Sequence, residues 1–202
     1  MHNKPTGITG FTRISDKGSN FNKVNFPKEK VEIELFIANR FVDHLSSNNT
    51  KNIKDLIQND EDDYDFTFIL SSGIKKYLEL MEIFPPKGGY NDATGYYKDL
   101  EMAEYIVERI VSGKSNKYES KSLSVDLLIY PTGYQFELSV LCKQLIGFLL
   151  NSKKIIFSGV FYFSLIDQFR GHACLLYPND YSYIDIEKYR DNSTYNLYPE
   201  NG

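Results

Sequence analysis

Asp65 and Glu79 are the residues whose types and spacing most directly suggest chemistry. They lie in YDFTFILSSGIKKYLELME, residues 64–82, which reads as two strands around a tight turn. Gly at the third place of Ser71-Ser72-Gly73 suits a type I turn followed by a bulge. The turn then sets Leu70 opposite Ile74, Phe68 opposite Lys76 and Phe66 opposite Leu78. In the same register Asp65 faces Glu79 and Asp63 faces Met81. Like charges directly opposite one another destabilise a hairpin. A hard divalent cation such as Mg²⁺ removes that penalty, since it binds one or two carboxylates and keeps waters for a phosphate. The plain alternative is a solvated strand end where the two acids splay apart.

Several elements must position this pair. In EKVEIELFIANRFVDHLS, residues 29–46, the residues Val31, Leu35, Ala38, Val42 and Leu45 fall at helical spacing, with Glu34 bordering the stripe. Residues 51–58 read as a short helical turn. After the Pro- and Gly-rich break at 85–89, residues 97–112 predict a helix with Leu100, Ala103, Val107 and Ile110 on one face, and Lys114 continues that stripe. SLSVDLLIYP (122–131) predicts a strand buried on both faces, because VDLLIY is continuously apolar apart from its aspartate. A helix over 134–152 and strands over 155–166 and 172–178 follow. The order predicts an α/β protein with a mixed central β-sheet flanked by helices. Residues 1–28 read as an irregular N-terminal arm, and 29–202 as a single domain. Six tyrosines from Tyr177 onward predict that most of the C-terminal segment packs on that domain.

A helix bearing Glu34, then Asp65-Phe66 opening a hairpin, then Glu79 in the return strand YLELMEI resembles the PD-(D/E)XK, or restriction-endonuclease-like, superfamily. The likeness runs over roughly residues 29–166, and its motifs are short and degenerate. It implies a nuclease-like fold, Mg²⁺ on Asp65 and Glu79 with Glu34 as an accessory ligand, and hydrolysis of a phosphodiester in nucleic acid. The superfamily's lysine, two positions after the glutamate, falls at Met81, which carries neither charge nor donor. Tyr64 stands where a proline is usual. The resemblance therefore implies one of two states. Either another lysine supplies the charge, with Lys114 the choice here and Lys75, Lys117 and Lys121 further options, or the fold persists without catalysis as a binding or scaffold module.

Other motifs carry less. GKS at 113–115 has Glu108 where a P-loop needs glycine, and it follows a helix rather than a strand. NDEDDYD (59–65) lacks the glycine of a calcium loop. No GxSxG elbow is present. Cys142 lies in an apolar helix, where core packing outweighs a nucleophilic pairing with His172. His44, near a helix end, suits a cap or the surface.

Composition bounds the partners. The 202 residues carry a formal charge of −4, so a whole-chain basic footprint for nucleic acid is missing. The chain has 16 Tyr and 14 Phe, which suits a protein interface or a homo-oligomer. Apolar runs such as IIFSGVFYFSLI are too short for a membrane span. Two cysteines without metal-site spacing, and an N-terminal stretch without an apolar run, predict a cytoplasmic setting.

Overall fold

The computed structural model describes residues 12–15, 18–21, 24–47, 53–59, 64–84, 98–115, 124–133, 137–187 and 189. Asp63, Lys117 and Lys121 lie outside the described residues, as does the whole segment beyond Tyr189. The arm is not wholly irregular. Strands β1 (Thr12–Ser15) and β2 (Gly18–Phe21) pair antiparallel as a small separate sheet.

The main sheet has six strands in chain order: β3 (Ile53–Gln58), β4 (Phe66–Leu70), β5 (Lys75–Glu82), β6 (Val125–Tyr130), β7 (Phe157–Leu165) and β8 (Gly171–Tyr177). Pairings are antiparallel at β3–β4, β4–β5 and β7–β8, and parallel at β5–β6 and β6–β7. The sheet is therefore mixed and open. Its centre, β6, is buried along its whole length, as the continuous apolar run predicts. Residues 53–58 are an edge strand and not a helical turn. Their side chains are largely exposed, so little apolar patterning marks them in the sequence.

Among the described residues three helices cover the sheet: α1 (Lys30–Ser47), α2 (Asp99–Glu108), which continues as a π-helical segment over Arg109–Ser115, and α3 (Val140–Asn151). The connections through α2 and α3 both step the same way along the sheet, so one common crossover hand puts both helices on one face. There they pack on Met81, Val125, Leu127, Ile129, Val160 and Tyr162. Helix α1 covers the other face, against Phe66, Phe68, Leu78, Leu80, Leu128 and Phe163. Its buried stripe is Ile33, Ile37, Ala38, Phe41 and Leu45. This stripe is rotated from the one the spacing predicts: Val31 and Leu35 are exposed. The helix is apolar on adjacent flanks, and contact with the sheet selects between them.

Helix α3 begins at Val140 rather than 134. Ser139 caps it by accepting the Cys142 N–H at 2.9 Å, and its hydroxyl donates to Asp99 at 2.6 Å. Beyond β8, Tyr181 and Ile184 join the core under α3.

Candidate functional site

The hairpin forms in the register read from its sequence, with Phe66 opposite Leu78 and Phe68 opposite Lys76. Gly73 takes a φ of +84°, the left-handed conformation that the third turn position requires. Its N–H donates to the Leu70 carbonyl at 2.8 Å, and the Leu70 N–H donates to the Ile74 carbonyl at 2.9 Å.

Asp65 sits at a bend just before β4. Strand pairing between β4 and β5 ends at Phe66, and the Asp65 carboxylate takes up the next strand donor: its Oδ2 accepts the Leu80 N–H at 2.6 Å. Asn59 holds the bend. Its N–H donates to the Asp65 carbonyl at 3.0 Å, its side-chain amide donates to the Tyr64 carbonyl at 2.8 Å, and its Oδ1 accepts the Thr67 hydroxyl at 3.0 Å. Tyr64 consequently turns into the α2/α3 core, 5.2 Å from the Tyr77 ring.

Glu79 points to the same face as Met81 and Tyr77, and its side chain is 0% exposed. Burying a carboxylate so completely requires a compensating charge. Lys114 supplies it: its Nζ donates to Glu79 Oε1 in a short charge-assisted contact. This lysine arrives from the end of the π-helical segment, on the face where Met81 lies, buried at 3% exposure. Lys75, the other described candidate, is exposed near the turn.

Two anchors set the π-helical segment against the sheet. At its start the Arg109 guanidinium donates to the Glu82 carbonyl at 3.0 Å and lies over the Phe84 and Tyr105 rings. At its end the Ser115 hydroxyl accepts the Ile156 N–H at 3.1 Å, beside the start of β7.

Glu34 reaches the cluster from α1. Its carboxylate pairs with Lys30, one turn earlier, at 3.3 Å. Burial lifts its pKa above the ordinary carboxylate value; the Lys30 ammonium pulls it back, repulsion from Asp65 adds to the rise, and Lys114 offsets a little more. For Lys30, burial opposes the charge, but Glu34 with its hydrogen bond, then Asp65 and Glu82, together hold its pKa above the usual lysine value. Thus Glu34 stands within electrostatic reach of Lys30, Asp65 and Lys114, and Lys30 within reach of Asp65 and Glu82. Glu82 borders the group, with Thr132 donating its hydroxyl to Oε1.

The structure thus joins Glu79 to Lys114 directly and brings Glu34 and Asp65 into the same neighbourhood. Among the described residues, no three His, Cys, Asp or Glu side chains are grouped to hold one ion. Sequence reasoning missed Lys30, Asn59, Glu82 and Arg109. The i,i+4 spacing of Lys30 and Glu34 was a usable signal; Asn59, a frequent turn residue, was another. Arg109 acts through a backbone contact 27 positions away in the chain, which no local pattern announces.

Cys142 is buried in the core and burial pushes its thiol pKa far up, so it is no nucleophile. His44 and His172 meet edge to face at 5.4 Å and tie the end of α1 to β8.

Comparison with protein-family models, with curated proteins and with solved structures finds no match for this chain. Its class therefore rests on its architecture, which among the described residues is α/β with a six-stranded mixed open sheet and three helices. No helix among the described residues is long and apolar enough to cross a membrane.

Proposed function

We propose that this chain is a restriction-endonuclease-like protein that hydrolyses phosphodiester bonds in nucleic acid with a divalent cation at Asp65 and Glu79. The observation that carries the reading is Lys114 on Glu79. The superfamily resemblance calls for an ammonium beside that carboxylate, Met81 cannot provide it, and a lysine from another element does. Asp65 and Glu79 are hard oxygen donors, the chemistry Mg²⁺ selects, so the donor set fits the ion. Mg²⁺ held there would supply an activated water and charge neutralisation at the phosphate. The Lys114 ammonium offers a hydrogen bond and a positive charge beside the two carboxylates. Leu80 N–H fixes the orientation of Asp65. Glu34, retaining its proton more readily than an ordinary carboxylate, is an accessory oxygen ligand.

One observation favours a second reading. Glu79 is fully buried and already ion-paired, which also suits a structural salt bridge in a non-catalytic binding or scaffold protein of the same fold. Titration calorimetry with MgCl₂ and MnCl₂ separates the two, together with cleavage of single- and double-stranded DNA and RNA. The catalytic reading expects binding that Asp65→Asn abolishes, and cleavage that requires the ion. Binding without cleavage of any substrate selects the scaffold, and no binding by the native protein removes the metal site.

A further inference from the structure

Phe169 lies in the turn between β7 and β8, and its side chain is 73% exposed. A single exposed apolar residue means little by itself. Here the surroundings matter. The Ile166 N–H donates to the Arg170 carbonyl across the turn at 2.8 Å. Asp167 Oδ1 accepts the N–H groups of Phe169 and Arg170, both at 2.8 Å, and its Oδ2 accepts Arg170 Nε at 2.8 Å. Gln168 grips the backbone of Asn25: its Oε1 accepts the N–H at 2.8 Å, and its Nε2 donates to the carbonyl at 3.2 Å. The backbone around the ring is thus fixed, so contact with a ligand costs little further ordering. Arg40 of α1 backs the ring. Its guanidinium lies 6.0 Å from the Phe169 centroid and 5.4 Å from that of Phe36, and Asp43 holds it at 2.8 Å.

The turn also shares one end of the sheet with the candidate site. Strands β5, β6 and β7 are parallel, so their carboxyl ends lie together. Glu82 closes β5, Thr132 follows β6, and the turn bearing Phe169 follows β7. Asp65, just before β4, stands at the same end, because β4 runs antiparallel to β5. Open α/β sheets bind their ligands outside the carboxyl ends of the strands. Two strand spacings separate β5 from β7, about 10 Å, a gap that a few nucleotides span.

The chemistry of the turn selects the ligand. The neighbours of Phe169 are Asp167, Gln168 and Arg170, all polar, and the two charges pair with each other. A protein interface is centred on a well-packed cluster of buried side chains, which this turn lacks. A fixed π-face in polar surroundings suits an unpaired base, since every base has a face that stacks on an aromatic ring. Bases inside a duplex are already stacked on one another.

We propose that Phe169, backed by Arg40, is a stacking platform for an unpaired base of single-stranded nucleic acid that reaches the carboxylates along this end of the sheet. The inference rests on the phosphodiester reading of Asp65 and Glu79 and names the form of substrate that site takes.

Fluorescence anisotropy on the full chain, in EDTA so that no metal chemistry enters, tests it. The probes are short labelled single strands of DNA and of RNA and a blunt DNA duplex of the same sequence. The native protein should bind a single strand more tightly than the duplex. Phe169→Ala should weaken single-strand binding by about five- to 150-fold, the loss that one base–aromatic stack produces, and leave duplex binding unchanged. Phe169→Tyr, which keeps the π-face, should retain native affinity; Phe169→Leu, apolar without one, should fall with Phe169→Ala. A loss confined to DNA or to RNA identifies the sugar of the bound strand. The second measurement needs no variant: ultraviolet crosslinking of a single strand carrying 5-iodouracil should place the adduct on Phe169. Native affinity in Phe169→Leu overturns stacking in favour of an apolar partner. Equal affinity in Phe169→Ala, adducts only at other residues, or no single-strand binding by the native protein overturns the platform. Mg²⁺-dependent cleavage with binding indifferent to Phe169 leaves the phosphodiester reading standing without the platform. Phe169-dependent binding with no cleavage under any metal leaves the platform and removes that reading.

Discussion

At the residue scale, the site is a set of charges whose environments differ more than their types. Glu79 is wholly buried and neutralised by Lys114. Asp65 is fixed by a backbone donor. Glu34 is held mainly by burial, with Lys30 as its partner. Its folded-state pKa is raised, so the folded chain holds that proton more tightly than the unfolded chain does. The resulting stability is fully present below the unfolded carboxyl pKa and is lost as pH rises through the folded one. Replacing Glu34 by Gln removes this dependence. Urea unfolding near pH 7 should find Glu34→Gln more stable than the native protein. The difference should vanish below about pH 4, where an ordinary glutamate is protonated. An equal difference at both pH values would assign the change to packing instead of charge.

At the element scale, turns and helix contacts decide where side chains arrive. The hairpin's register was legible from Ser71-Ser72-Gly73 alone, because turn length and the need for positive φ leave one good pairing. The Asp65 carboxylate was not legible to the same degree. The register set it opposite Glu79, but the bend held by Asn59 brings it to the Leu80 N–H. The packing of α3 offers a direct test. A Cβ at Gly147 would lie 2.1 Å from the Tyr181 ring and 2.5 Å from the Leu176 carbonyl oxygen. The ring could turn aside, but the backbone oxygen of β8 cannot do so without moving the strand. Gly147→Ala should therefore cost about 1–3 kcal/mol, the usual range for overpacking. Denaturant unfolding measures it, and near-neutral stability would mean that the segment after β8 does not seat on α3.

At the scale of the whole molecule, the two faces of the sheet are unequally covered. Helices α2 and α3 share one face and carry Lys114, while α1 covers the other and carries Glu34. Among the described helices, α1 alone serves its face, and Phe41 is its central contact. That ring is 1% exposed and lies 5.4 Å from Phe161 and 5.9 Å from Phe163. Phe41→Ala should cost about 3–5 kcal/mol, a large part of the roughly 5–15 kcal/mol that holds a domain folded. Loss of α1 docking would also carry Glu34 away from Asp65. Thermal unfolding checks the stability; under the proposed metal-binding reading, Mn²⁺ affinity measured below the variant's melting point checks the coupling to Asp65 and Glu79. A loss smaller than about 1 kcal/mol would show that α1 is not the lid of that face.

The sequence by itself determined the α/β class, the hairpin and its register, the buried central strand VDLLIY and the faces of α2. Each follows from local periodicity or turn chemistry over a few consecutive residues. It also singled out Lys114, because that residue continues a buried helical stripe. Only the tertiary structure decided which flank of α1 is buried, that residues 53–58 are an edge strand, and that Lys114 reaches Glu79 across 35 positions of chain. Those outcomes depend on which elements become neighbours in space. A buried carboxylate must find its cation wherever the fold brings one, so the contact of Lys114 with Glu79 became visible only once the segment after α2 was seen against the sheet.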